Sequence, residues 1–116
     1  MILVDTSILI DYLKGSENSH IREFEKIIGH GIPFGITEII YQELLQGART
    51  VEEFRTLKEY LTTIPFYSLK YGKESFEKAA YLNILCRMSG ITIRSTIDFL
   101  VAETAIENEL HLLHND

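Results

Sequence analysis

Four acidic residues of this 116-residue chain lie where carboxylates could act together in catalysis: Asp5, Glu43, Asp98 and Asp116. Asp5 directly follows the apolar run 2–4, and Asp116 follows the last apolar run of the chain. Glu43 lies beside the apolar stripe of one predicted helix, and Asp98 lies in the first turn of another. Carboxylates that converge repel one another, and a divalent cation relieves that repulsion. Oxygen ligands without Cys or His favour Mg²⁺ or Mn²⁺.

Each of these acids also has a purely structural explanation. Asp5 can cap the helix that starts near residue 7. Asp98 lies in Ser95-x-x-Asp98, which has the spacing of a capping box and suits the positive end of a helix. Glu43 can pair with a buried cation, and Asp116 can be a turn residue. A single metal site explains all four acids together, whereas the structural explanations need four separate accounts.

The elements that would position these acids alternate along the chain. Apolar periodicity and turn residues predict strands at 2–4, 33–36, 66–69 and 111–114. Helices are predicted at 8–13, from 18 or 19 to 29, at 38–46, from 50 to 61, at 73–88, and from 95 or 96 onward. Alternation of this kind is typical of an α/β fold, with helices on both faces of a parallel sheet. Ligands of such sheets bind beyond the carboxyl ends of the strands, where Asp5 and Asp116 are predicted to lie.

Composition restricts the class of protein. The formal net charge of −6 argues against a basic surface that coats nucleic-acid phosphates. Contact with nucleic acid would therefore come from a local patch or from bridging metal ions. No apolar run approaches the length of a membrane span, and no basic region precedes the first apolar run as in a signal peptide. With Cys86 as the single cysteine, a reducing, cytoplasmic setting is expected.

Four segments together resemble the PIN domain, and more narrowly the VapC toxins of type II toxin–antitoxin systems. They are Met1-Ile-Leu-Val-Asp5-Thr6-Ser7, Glu43-Leu44-Leu45-x-Gly47-Ala48, Ile97-Asp98-x-x-x-Ala102 and Leu112-Leu113-x-x-Asp116. The segments occur in the family's order and span nearly the whole chain. The expected domain is therefore a single PIN domain over residues 1–116. In the family the last motif continues as Asp-x-Asp-Phe, so we expect the C-terminal end of the pattern to be missing here.

The resemblance implies a PIN-like three-layer α/β/α sandwich around a parallel sheet, and a ribonuclease that uses Mg²⁺ or Mn²⁺. Asp5 and Asp98 would be the principal metal ligands. Glu43 would belong to the same cluster, and Asp116 would be the fourth acid. A hydroxyl of Thr6 or Ser7 would orient the site by hydrogen bonding.

The resemblance also implies partners. A VapB antitoxin would wrap the toxin and insert its C-terminal tail into the acidic groove, and the toxin would form a homodimer. RNA would be the substrate, and its phosphates would meet local cations such as Lys14, Arg49 and Arg94. The implied reaction is hydrolysis of a phosphodiester by a water whose pKa the metal lowers.

Three other classes of protein share some of these features. A receiver-like signalling domain needs an Asp after a middle strand and a Lys after a later one. Residues 66–69 contain no Asp, and no Lys follows Lys78. A phosphatase of the haloacid-dehalogenase type needs a second acid two residues after Asp5, where Ser7 stands. A catalytically silent PIN-like binding module remains open.

Overall fold

A computed structural model describes residues 1–15, 17–91 and 95–113. Three strands and six helices are found there: β1 (Ile2–Val4), α1 (Thr6–Leu13), α2 (Ser19–Gly29), β2 (Phe34–Gly35), α3 (Glu38–Gln46), α4 (Val51–Leu61), α5 (Lys73–Met88), α6 (Thr96–Glu107) and β3 (His111–Leu113). The strands form one parallel sheet in the order β2-β1-β3, flanked by helices. The predicted α/β fold with a parallel sheet is therefore confirmed.

The first strand occupies the centre of the sheet because both of its neighbours pair with it. Ile2 stands opposite Phe34 of β2 and opposite His111 of β3. The pairing with β3 continues past the strand, since the backbone N–H of Asp5 donates to the carbonyl of Leu113 at 2.9 Å. The end of β1 is thereby fixed against the end of β3.

The strand predicted at 66–69 is wrong. Ile36 and Phe66 form an isolated parallel bridge, made by the hydrogen bonds Ile36 N–H to Pro65 carbonyl at 3.0 Å and Tyr67 N–H to Ile36 carbonyl at 2.9 Å. The neighbouring strand β2 is only two residues long, so it offers the segment no longer edge to pair with.

The helices begin where the polar residues of the sequence predict. Asn18, Thr37, Thr50 and Ser95 are the N-caps of α2, α3, α4 and α6. Each side-chain oxygen accepts a hydrogen bond from the backbone N–H three residues ahead. These caps satisfy donors that a helix start leaves unpaired.

The core lies between the central strand and its helices. Leu3 and Val4 of β1 are fully buried against α1 and α3, whose apolar side chains Ile8, Leu9, Ile40 and Leu44 are also buried. On α2, Phe24 packs edge-on between the rings of Tyr12 and Phe34. The apolar sequence at the N-terminus thus holds the acid that follows it in a rigid position.

Helix α5 departs from this pattern because much of its apolar surface faces outward. Phe76, Tyr81 and Met88 are 54%, 60% and 79% exposed, and Ile84 and Leu85 are also exposed. Helical periodicity in the sequence marks Phe76, Ile84 and Leu85 as apolar positions of this helix, and the helix packs mainly against α6. Among the described residues, no helix is both long and apolar enough to cross a membrane.

Candidate active site

The chain topology brings two of the predicted acids to the carboxyl edge of the sheet. Asp5 follows β1 directly. Helix α6 ends at Glu107 and enters β3 through a three-residue turn, so its C-terminus lies at the start of that strand. Because a connecting helix runs back along a parallel sheet, the first turn of α6 and Asp98 lie toward the opposite, carboxyl edge.

Asp5 is the N-cap of α1. Its Oδ1 accepts a hydrogen bond from the backbone N–H of Thr6 at 2.8 Å. The structure therefore confirms that Asp5 caps α1. This capping hydrogen bond uses the Oδ1 atom, and Asp5 still lies at the carboxyl edge of the sheet.

Glu43 reaches the same region through a contact with the residue after Asp5. The Thr6 hydroxyl donates to Glu43 Oε1 at 2.8 Å, joining residues 37 apart in sequence. Glu43 is half-buried on α3, next to the buried Leu44. Side chains of a helix point back toward its N-terminus, which directs Glu43 toward the sheet edge from which α3 starts.

Asp98 is exposed in the first turn of α6. Its backbone N–H donates to the hydroxyl of Ser95 at 3.3 Å, which accounts for the Ser95-x-x-Asp98 spacing. Only that half of a capping box is formed among residues 95–113, since the Asp98 carboxylate does not return a hydrogen bond to Ser95 there. The side chain therefore points an acid into solvent at the positive end of the helix.

Asp116, the fourth predicted acid, lies outside the described residues, and so does Arg94. Ser7 is described, and its hydroxyl oxygen is buried without a hydrogen-bond partner among the residues the structure describes. A buried hydroxyl without a partner costs free energy. It is therefore a polar atom available to a group that completes the site.

The donor set fits a hard divalent cation. Asp5, Glu43 and Asp98 offer carboxylate oxygens, and the Ser7 hydroxyl is a further oxygen in the first turn of α1. Within the described residues, however, no three acidic, His or Cys side chains stand close enough together to hold a metal ion by themselves. The structure thus links Asp5 and Glu43 to the same residue, Thr6, while Asp98 lies on a different element, α6.

Two of the predicted phosphate-binding cations, Lys14 and Arg49, are described, and both are exposed. Lys14 is at the C-cap of α1, roughly 13 Å along the helix axis from Asp5. Arg49 lies in the turn between α3 and α4, at the rim of a shallow groove of about 300 Å³ that Leu45, Val51 and Phe54 also line. Of these two cations, Arg49 is the one that follows the helix carrying Glu43.

One buried and one half-buried acid outside this region were not predicted. Glu103 is 3% exposed on α6, and Glu107 lies one turn further on. The signal was present in the sequence, because Glu103 interrupts an otherwise apolar or small stretch from Phe99 to Ala105. A charge at such a position is costly unless it is paired or neutralised.

The comparisons with known proteins agree on one family. A profile of the PIN domain family matches residues 2–116. Ribonuclease VapC11 of Mycobacterium tuberculosis is 27% identical over an alignment of 117 residues, which covers 100% of this chain and 87% of that protein.

Solved structures resemble the chain over similar lengths. VapBC2 from Rickettsia felis, bound to a DNA fragment of its promoter, has a TM-score of 0.74 at 19% identity and covers 100% of this chain and 88% of the other. A toxin–antitoxin complex from Klebsiella pneumoniae has a TM-score of 0.73 at 22% identity, with coverages of 97% and 83%. At these identities the likeness shows the fold alone.

Proposed function

We propose that this chain, which belongs to the PIN domain family, is the toxin of a VapBC-like type II toxin–antitoxin system and acts as an endoribonuclease. The observation that carries the proposal is the contact of α1 with α3 through the Thr6–Glu43 hydrogen bond, directly beside Asp5. The full-length similarity to a protein named ribonuclease VapC11 supports it. A receiver-like function has no comparable support.

Asp5, Glu43 and Asp98 would hold a Mg²⁺ or Mn²⁺ ion, with Asp116 as a fourth acid, and these residues would be the catalytic ones. Such an ion supplies Lewis-acid stabilisation of the phosphate and lowers the pKa of an attacking water. The oxygen-only donor set favours these hard cations over zinc or copper. The assignment of Asp116 rests on the family pattern alone.

The chain's own residues would then have distinct tasks. The Thr6 hydroxyl donates to Glu43 and so leaves that carboxylate with one oxygen fixed and the other available as a ligand. The backbone N–H of Thr6 donates to one oxygen of Asp5 and so orients that carboxylate. The Ser7 hydroxyl would donate to a ligand or water of the completed site. One carboxylate would accept the proton of the attacking water.

RNA would approach a protein of net charge −6, so association would depend on few positive contacts. Arg49 is our candidate for a phosphate contact, because it is exposed at the end of α3. Lys14 and Arg94 are further candidates from the sequence. An RNA rather than a DNA substrate is proposed from the relative's name.

The proposed partner is a VapB-like antitoxin, since one of the compared structures is VapBC2 and the other is a toxin–antitoxin complex. Its tail would enter the acidic groove beside Asp5 and neutralise the carboxylates there. A homodimer is also proposed, and the exposed apolar face of α5 is the surface it would bury, because apolar patches of this kind are typical of interfaces. A cytoplasmic location and a single domain over 1–116 complete the proposal.

A catalytically silent PIN-like binding module is the second candidate. The observation in its favour is that the described residues include no group of three potential ligands around one point. Calorimetric titration with Mn²⁺ discriminates between the two. The nuclease predicts binding that Asp5→Asn and Asp98→Asn each weaken. A silent module predicts neither metal binding nor cleavage of total RNA.

A further inference from the structure

Two glutamates of α6, one buried and one half-buried, lie away from the candidate active site. Glu103 and Glu107 are four residues apart and so share one face of the helix. Glu103 is 3% exposed, which is rare for a glutamate. Both side chains line one groove between α5 and α6, so their carboxyl groups are neighbours. Since a carboxylate has no hydrogen to donate, a hydrogen bond between them requires that one be protonated.

The contacts of Glu107 identify it as the ionised partner. Its Oε1 accepts hydrogen bonds from the Lys70 backbone N–H at 2.7 Å and from the Ser75 hydroxyl at 3.0 Å. Its Oε2 is buried and accepts no N–H or hydroxyl hydrogen of the described residues. A protonated Glu103 is the donor that such an oxygen requires.

This contact anchors the segment 70–75 to α6. The Ser75 hydroxyl that donates to Glu107 also accepts from the Tyr71 backbone N–H at 3.0 Å. Helix α5 begins after Gly72, which provides no side-chain cap. The segment that leads into α5 is therefore held by Glu107, which accepts from the Lys70 N–H, and by Ser75, which accepts from the Tyr71 N–H.

The charged groups around Glu103 and Glu107 do not neutralise both carboxylates, so a proton is still needed between them. The pair borders a groove of about 440 Å³ between α5 and α6, whose other titratable side chains are Tyr71, Lys78, Tyr81 and Glu109. The Lys78 ammonium lies over the Tyr71 ring, 4.9 Å from its centroid, and forms an ion pair with Glu74 at 3.9 Å. Lys78 is thus shared among several acceptors and cannot neutralise both glutamates.

Burial raises the pKa of Glu103, and the hydrogen bond and charge of Glu107 raise it further, against a smaller opposing effect of Lys78. Burial would also raise the pKa of Glu107. The hydrogen bonds from Lys70, Glu103 and Ser75, together with the charge of Lys78, outweigh it, so the pKa of Glu107 is lowered. The two acids are therefore pushed in opposite directions.

We propose that Glu103 and Glu107 hold one proton between them, and that the resulting carboxyl–carboxylate hydrogen bond is a pH-sensitive latch fixing residues 70–75 to α6. Loss of the proton leaves two negative charges one helical turn apart, with a single shared lysine nearby. The Lys70 and Ser75 hydrogen bonds then weaken, and the first turn of α5 loosens. The latch does not depend on the proposed nuclease function.

The direction of the pH effect follows from linkage. Glu103 binds its proton more tightly in the folded protein, so its contribution to stability is full below the ordinary glutamate pKa and is lost as pH rises through the raised value. Glu107 contributes above the ordinary value, and its contribution is lost as pH falls through the lowered one. The pair is therefore most stabilising near the ordinary glutamate pKa.

The test is amide hydrogen exchange and urea denaturation of the full chain between about pH 4 and pH 8. Protection of the Lys70 and Tyr71 amides should fall as pH rises, by about tenfold for every unit that separates the folded-state pKa of Glu103 from its ordinary value. In Glu103→Gln the side-chain amide donates to Glu107 at every pH. This variant should keep the protection and lose its pH dependence.

Glu109→Gln is the matched control, because Glu109 lines the same groove without entering the pair. It should retain the wild-type pH dependence. The latch is refuted if Glu103→Gln shows the same decline as wild type, or if Glu109→Gln abolishes it equally. Should Glu103→Gln fail to fold, the wild-type amides decide alone, and protection independent of pH, after correction for intrinsic exchange, overturns the proposal.

Discussion

At the scale of single residues, the Thr6–Glu43 hydrogen bond requires a hydroxyl donor at position 6. Thr6→Val keeps the branched shape and removes the hydroxyl donor, whereas Thr6→Ser keeps the donor. If Glu43 is a ligand that Thr6 positions, Thr6→Val should lower RNA cleavage by about 10–100-fold and weaken Mn²⁺ binding, as loss of a ligand's hydrogen-bond partner does. Thr6→Ser should stay near wild type.

Initial cleavage rates and calorimetric Mn²⁺ affinities measure both effects. Cleavage by Thr6→Val at the wild-type rate would show that Glu43 needs no support from Thr6. A loss shared equally by Thr6→Ser would point to packing rather than to the hydroxyl.

Individual residues also show how far the sequence determines the site. The capping positions Thr37 and Ser95 were predictable because a cap is a local hydrogen bond between residues three apart. The partner of Thr6 was not, because Glu43 is brought to it only by the packing of α1 against α3. The burial of Glu103 likewise depends on the packing of α5 against α6. The periodicity of the α6 sequence does not show that contact, because α5 is a separate helix.

At the scale of elements, the start of α3 depends on a buried cap. Thr37 is 2% exposed, and its hydroxyl accepts from the Ile40 backbone N–H at 3.1 Å. Thr37→Ala should lower the free energy of unfolding by about 1 kcal/mol, whereas Thr37→Ser should retain most of it. Urea denaturation measures the difference. Equal midpoints for the two variants would mean that the hydroxyl does not cap α3 in solution.

The second strand, β2, has no room for a side chain at position 35. A Cβ at Gly35 would lie 2.6 Å from the Pro65 carbonyl oxygen and would overlap the Tyr67 ring. Gly35→Ala should therefore destabilise the protein by about 1–3 kcal/mol, because β2 or the segment after α4 must shift. Gly29→Ala, at the end of α2, meets nothing within 4 Å and is the control.

Thermal denaturation of the two alanine variants compares them directly. We expect a lower midpoint for Gly35→Ala and little change for Gly29→Ala. An unchanged midpoint for Gly35→Ala would show that the contact between β2 and Tyr67 is loose.

The elements that the sequence predicted well are those with local signals. Every helix start was marked by a polar residue or a glycine, and β1 was marked by its apolar run. The segment 66–69 has strand-forming residues, yet strand formation needs a partner edge, and within residues 1–15, 17–91 and 95–113 only Ile36 provides one. Helical periodicity on α5 identified its apolar positions but could not distinguish a core face from a face left for another chain.

At the scale of the whole molecule, that face of α5 yields a prediction about assembly. Met88 is 79% exposed, so Met88→Lys removes little contact within one chain. If α5 forms the proposed homodimer, Met88→Lys should shift the protein toward monomer in sedimentation velocity without lowering the urea midpoint of the monomer. Val51→Lys, at a 66% exposed apolar residue of α4, is the control and should leave the assembly unchanged.

Wild type that sediments as a monomer at every concentration would refute the dimer. A dimer that survives Met88→Lys unchanged would place its interface elsewhere.

The most direct test of the central claim is to map cuts in total cellular RNA by sequencing the new 5′ ends. The antitoxin-free protein would be compared with and without Mn²⁺, in EDTA, and as Asp98→Asn and Glu74→Gln. Asp98 is exposed and its backbone N–H makes the Ser95 contact, so Asp98→Asn should keep the fold. We predict discrete cuts that need Mn²⁺, fall more than about 100-fold in Asp98→Asn, and persist in Glu74→Gln, an exposed acid of α5. Cuts that are independent of metal and equal in Asp98→Asn, or no cuts at all, would contradict a metal-dependent ribonuclease.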